Sequence, residues 1–95
     1  MRTLLRPKPV MIFDEPVGYL NHALGKRLLD KIYELRNSRI VLISTHRLTN
    51  VEQADRIIVL GSGSVIESGT HAELLRNEGT YFQMWQHQKY KNLDD

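Results

Sequence analysis

Val10-Met11-Ile12-Phe13 is a run of four apolar residues that ends in Asp14-Glu15-Pro16. Its length suits a buried strand, and Pro16 stops it. Two adjacent carboxylates at the mouth of a buried strand are costly unless something uses them. A metal ion with phosphates, together with a water that needs a general base, would use both. This pairing limits the fold more than any other feature, because it demands a strand whose carboxyl end opens on a site.

The rest of the chain supplies a partner for that strand. Leu24, Leu28, Ile32 and Leu35 recur at three- and four-residue spacing, with Lys26, Arg27, Asp30, Lys31 and Glu34 mostly on the other side. This pattern predicts an amphipathic helix to about Arg36, capped by Asn21. Ile40-Val41-Leu42-Ile43 is a second apolar run and ends in Ser44-Thr45-His46. Two such runs around a helix read as a right-handed βαβ unit with parallel strands buried on both faces. Ligands of open parallel sheets gather beyond the carboxyl ends of strands, so Asp14, Glu15 and His46 are expected on one sheet edge.

Downstream, a short helix is expected near Asn50 to Ala54, then a strand at Ile57 to Leu60. Gly61-Ser62-Gly63 turns the chain into a hairpin strand from Ser64 to Glu67, ending at Gly69. Thr70 and Glu73 have the spacing of a capping box ahead of Leu74-Leu75. Tyr81, Phe82, Met84 and Trp85 predict a last helix whose aromatic face belongs to the core rather than to a docking surface. The Lys89 to Asp95 tail is expected to fray. His22, His71 and His87 lack metal-ligand spacing and are expected at the surface.

Bulk properties exclude more than they assign. A chain of 95 residues is one small domain at most. A net charge of +2, from 13 basic and 11 acidic residues, gives no basic track, and no nucleic-acid partner is expected. The absence of cysteine removes disulfide, thiolate and cysteine-zinc chemistry. No apolar run approaches the roughly 18 residues of a bilayer span. A membrane role would therefore need an anchor from another segment or chain.

From the residues alone, Asp14 could reach Mg²⁺ through its water shell, and Glu15 could orient or deprotonate a water. The alternative is an acidic pair on a solvated turn. His46, as a neutral imidazole, could donate to a γ-phosphate and accept from a backbone group. Its alternative is a loop histidine without a role.

The ordered set of motifs resembles the C-terminal part of the nucleotide-binding domain of exporter-type ATP-binding cassette (ABC) transporters. VMIFDEP, Val10 to Pro16, matches the Walker B strand and its carboxylate. Gly18-Tyr19-Leu20-Asn21 falls at the D-loop, and STHRL, Ser44 to Leu48, matches the switch-histidine loop. Ala54 to Leu75 follows the family's closing hairpin and helix, and Gly79 to Trp85 its exporter ending. The resemblance covers about residues 2 to 88.

That resemblance implies an α/β fold, a partial P-loop NTPase with a parallel βαβ core, a C-terminal hairpin and helices. It implies Mg-ATP as ligand, with Asp14 holding Mg²⁺ through water, Glu15 polarising the attacking water, and His46 contacting the γ-phosphate. Gly18, Tyr19, Leu20 and Asn21 would lie at a head-to-tail dimer interface with a second nucleotide-binding domain. A transmembrane partner or segment would hold the domain at the cytoplasmic face. The family's D-loop commonly ends in Asp, where this chain has Asn21, which keeps hydrogen bonding and loses charge. Val17 replaces a common Thr or Ala.

No G-x-x-x-x-G-K-[ST] phosphate loop occurs in these residues, nor an LSGGQ signature or Q-loop. The family's Walker A strand lies between the switch-histidine strand and the hairpin, so the central strand is missing here. The isolated chain is expected to be poorly stable or to pack differently, and to lack ATPase activity. Two other readings are a non-enzymatic remnant or split-domain partner that completes a site with an upstream fragment, and a DNA-repair or structural-maintenance ATPase. The exporter-like ending from Ser64 to Trp85 argues against the latter. Within exporters, THRL with GTHAELL resembles the heterodimeric cysteine and glutathione exporters.

Overall fold

A computed structural model describes residues 8–18 and 20–93 of the chain, with side chains described to residue 89. The order is β1 (Val10–Asp14), α1 (His22–Glu34), a 3₁₀ turn (Leu35–Asn37), β2 (Ile40–Ser44), a second 3₁₀ turn (Leu48–Asn50), β3 (Ile57–Gly61), β4 (Ser64–Gly69), α2 (His71–Asn77) and α3 (Thr80–Leu93). The elements fall into two compact units, Met1–His46 and Arg47–Asp95.

In the first unit β1 and β2 pair in parallel, with Val10 opposite Ile40, Ile12 opposite Leu42 and Asp14 opposite Ser44. The βαβ expectation is met in its elements and strand direction. Its burial is not as expected. Val10, Ile12, Ile40 and Leu42 share one face of the sheet, and all four are exposed, Ile12 to 71%. Met11, Phe13, Val41 and Ile43, which alternate with them, are half-buried. A parallel strand reads as a continuous apolar run because it expects layers on both faces. Among the described residues of this unit, one face lacks its layer.

Asn21 caps α1 as its sequence position predicts: its Oδ1 accepts the Leu24 N–H at 2.9 Å. Ile32, on the apolar stripe, is buried. Gly25 is buried too, and the position of a Cβ there would lie 3.5 Å from Val17 Cβ. A glycine inside a helix lowers its stability by up to about 1 kcal/mol. Here it leaves room for Val17, which is itself buried.

The second unit has its own core of Leu48, Ile57, Val59, Leu74 and Tyr81, with Val51, Ala54, Leu75 and Trp85 packed against it. β3 and β4 form the expected hairpin, with a register shift between Val59 and Leu60. The capping box is present: Thr70 Oγ1 accepts from the Glu73 amide at 3.2 Å, and Glu73 Oε1 accepts from the Thr70 amide at 2.8 Å. The start of α3 is held by a more distant residue, since Glu67 Oε1 accepts the Tyr81 N–H at 2.7 Å. Tyr81 is fully buried, whereas Met84 lies partly in solvent, so the aromatic run is divided between core and surface.

Several local expectations are corrected. The region from Asn50 to Ala54 is not a helix; a 3₁₀ turn at Leu48–Asn50 leads into turns. Asn50 is buried there, which an α-helical reading of a polar start does not anticipate. His71 is half-buried, not a surface residue. Its Nδ1 lies 2.8 Å from the Tyr81 hydroxyl, and its ring meets Trp85 edge-on at 4.6 Å. α3 is helical to Leu93, and residues 94–95 of the tail expected to fray lie outside the described residues. Gln88 Oε1, accepting the Leu48 N–H at 2.9 Å, anchors this helix one residue before the expected fray.

β2 pairs with β1, and β3 with β4, in two separate two-stranded sheets. No described strand joins β2 to β3, in keeping with the missing central strand.

Candidate functional site

The site is built where β1 and β2 end together. Their ladder continues one residue past β1, as the Glu15 N–H donates to the Ser44 carbonyl at 2.7 Å. Pro16 then removes a donor and the chain turns, with Gly18 N–H donating back to the Glu15 carbonyl at 3.2 Å. Gly18 takes φ +39° in this turn. Glu15 itself has φ +48°, a left-handed conformation that a side chain with a Cβ rarely adopts. Such positions persist where surrounding bonds over-determine them, and they concentrate at functional sites.

Those bonds come from the end of β2. The Thr45 hydroxyl donates to Glu15 Oε2 at 2.9 Å. The His46 N–H donates to Glu15 Oε1 at 2.6 Å, and His46 Nδ1 lies 2.5 Å from the same oxygen. Partial burial pushes the Glu15 carboxyl up. The His46 amide, the Thr45 hydroxyl and the His46 ring outweigh this and hold it below the ordinary glutamate range. An ionised carboxylate can only accept, so Nδ1 of His46 carries a hydrogen in this pair. The ring therefore meets the Glu15 carboxylate. The Glu15 side chain is 33% exposed and that of His46 81%, so the pair opens to solvent.

The expectation that Glu15 and His46 share a sheet edge is met, across 31 positions of sequence. Asp14 sits at the same edge but takes no part in this cluster. It is exposed, on the sheet face of Val10 and Ile12. Glu15 lies one residue past β1 with a left-handed backbone, and the two neighbouring carboxylates thus fall in two environments. Of the residues expected at a D-loop, Gly18 forms the turn, Leu20 is exposed, and Asn21 caps α1. Tyr19 lies outside the described residues. Thr45 is the site residue that sequence reasoning missed. A hydroxyl immediately before the histidine at a strand end was its available signal.

Among the described residues no three His, Cys, Asp or Glu side chains gather as a metal site. Mg²⁺ does not require such a cage, since one or two carboxylates, waters and substrate phosphates suffice. Asp14 offers hard oxygen donors in solvent at a strand end, and that donor chemistry fits a water-mediated contact to Mg²⁺. No described helix is long and apolar enough to cross a membrane.

No protein-family model matches the chain. Individual proteins do. The chain is 40% identical over 83 residues to an ATP-dependent lipid A-core flippase of Idiomarina loihiensis, covering 87% of this chain and 14% of that protein. It is 42% identical over 80 residues to the flippase of the same description from Alkalilimnicola ehrlichii, again covering 14% of the relative. Its fold matches a bacterial Atm1-family ABC exporter solved with ATP bound, with a TM-score of 0.77 and 32% identity over 84% of this chain and 14% of the exporter. The chain thus spans about a seventh of the length of the proteins it matches. In sequence the chain is similar to a part of these flippases, and in fold to a part of an ABC exporter.

Proposed function

We propose that this chain supplies the hydrolytic portion of an ATP-binding site that couples ATP hydrolysis to export across a membrane. The observation that carries the reading is the convergence of Glu15, Thr45 and His46 at the joint end of two parallel strands. Glu15 is ionised and solvent-facing, and it is fixed in direction, as a group that orients an attacking water must be. Asp14 would hold Mg²⁺ through water, and the ion when bound would supply neutralisation of phosphate charge. His46 faces the γ-phosphate. With Nδ1 donating to Glu15, a neutral ring presents an acceptor at Nε2, so donation to a phosphate oxygen requires a second proton on the ring.

The grip on the triphosphate comes from elsewhere. In P-loop proteins it rests on the backbone amides and lysine of a loop that these residues do not contain. The chain by itself is therefore inactive and acts as one part of a complete domain. That domain sits at the cytoplasmic face of the membrane against a transmembrane partner. It pairs head to tail with a second nucleotide-binding domain through the loop of residues 18–21. The cargo is chosen by membrane segments.

A graft tests this reading. The corresponding 83 residues of the Idiomarina flippase are replaced by those of this chain, and ATP turnover is measured in detergent. The expected result is retained turnover that falls at least about 100-fold in Glu15→Gln. The unmodified chain alone shows none. Turnover in the graft that survives Glu15→Gln would remove Glu15 from the chemistry. Turnover by the chain alone would defeat the two-part site.

A further inference from the structure

The Glu15 carboxylate has about four acceptor sites, two on each oxygen. Oε1 takes two donors, the amide and the ring of His46. Oε2 takes one, the Thr45 hydroxyl. Among the described residues this leaves one acceptor site, on Oε2. The backbone beneath is itself in a left-handed conformation, so the side chain cannot be aimed by an ordinary strand geometry. Two consecutive residues of one loop thus hold both oxygens, and they also decide which oxygen stays open.

We infer that Thr45 is a positioning residue for Glu15, and that its hydroxyl turns the carboxylate so that Oε2 is the oxygen left to receive a water. This deepens the reading of Glu15 given above and rests on it for the identity of the water. The clamp itself is a property of this chain and needs no nucleotide. The two oxygens have different duties. Oε1 ties Glu15 to the histidine, so movement of the loop at His46 is transmitted to the carboxylate. Oε2 carries the Thr45 bond and the open site. Without the hydroxyl, the carboxylate is held only by its bonds at Oε1 and swings about them, so those bonds, the one from the His46 N–H among them, open more often. The general base is then present but no longer aimed, a loss that costs rate more than affinity.

Valine matches threonine in shape without the hydroxyl, whereas serine keeps the hydroxyl without the methyl group. Amide hydrogen exchange, followed by NMR on the 95-residue chain, reads the clamp through the His46 amide. Thr45→Val is expected to speed His46 exchange about tenfold, the factor set by one hydrogen bond to a charged acceptor. Amides of α1 and α3 keep their rates, and Thr45→Ser stays within about twofold of the parent at His46. Unchanged His46 exchange in Thr45→Val overturns the inference. So does a Thr45→Ser chain as fast as Thr45→Val. A uniform acceleration through α1 and α3 assigns Thr45 to fold stability and also overturns it. Because ATP is absent from this measurement, its outcome is separate from that of the graft. An intact clamp with an inactive graft sinks the ATPase reading alone.

Discussion

The unit from Arg47 onward closes a core of its own, while the unit ending at His46 carries the candidate site on a sheet that, among the described residues, has one exposed apolar face. Leu74 and Tyr81 are fully buried in the former. In the latter Ile12 and Leu42 stand in solvent beside Asp14. Both regions are rich in apolar residues, so composition does not separate them. Arrangement does. A hairpin followed by two helices can fold its apolar side chains onto one another locally. A parallel pair of strands cannot, because it expects layers on two faces and further strands at its edges. The candidate site lies in the region that is less complete by itself, which is the physical reason to regard the chain as part of a larger domain.

The largest test of this contrast is a pair of truncations. Leu74→Ala should cost about 2–5 kcal/mol of unfolding free energy in urea, because it leaves a cavity in a closed core. Ile12→Ala should cost well under about 1 kcal/mol, because its side chain is already in water. Equal costs would mean that the sheet face is covered in solution, and the contrast would fail.

A medium effect is expected at the start of α1. Asn21→Ala removes the cap on Leu24 and should cost about 1 kcal/mol. Asn21→Asp keeps the acceptor and adds charge at a helix N-terminus, so stability should hold or rise slightly. If Asn21→Asp instead weakens the helix, measured by circular dichroism through thermal unfolding, the cap geometry described here is wrong.

The smallest effect concerns pH. The folded state holds Glu15 below its ordinary range, so its bonds stabilise the fold above the unfolded pKa. That stabilisation is lost as pH falls through the lowered folded value. At neutral pH the parent should therefore exceed Glu15→Gln by less than about 1 kcal/mol, given partial exposure. The two urea curves should converge on acidification below about pH 4. A gap that widens in acid would show that the carboxylate is not the stabilising species.

Much of this was legible in the residues. The apolar runs and the intervening amphipathic stripe announced β1, α1 and β2. Gly61-Ser62-Gly63 marked the hairpin, and Thr70 with Glu73 marked the cap. The common edge of Glu15 and His46 followed from strand direction alone. Other features had no local signal. Glu67 caps α3 from 14 residues away, and His71 reaches Tyr81 across 10. Such contacts depend on where the hairpin and helices come to rest. The stretch from Asn50 to Ala54 reads as a helix in sequence and forms turns in the fold, because its polar pattern does not distinguish one turn from several.

The sequence by itself determined which elements form and which chemical groups stand at their ends, because periodicity, capping and strand termini are local properties. Tertiary structure decided how the carboxylate at Glu15 is held. It placed Thr45 on one oxygen and His46 on the other, and it sustained a left-handed backbone at a residue with a Cβ. It also left Val10, Ile12, Ile40 and Leu42 bare, since an apolar run specifies the wish for a covering layer and cannot supply one.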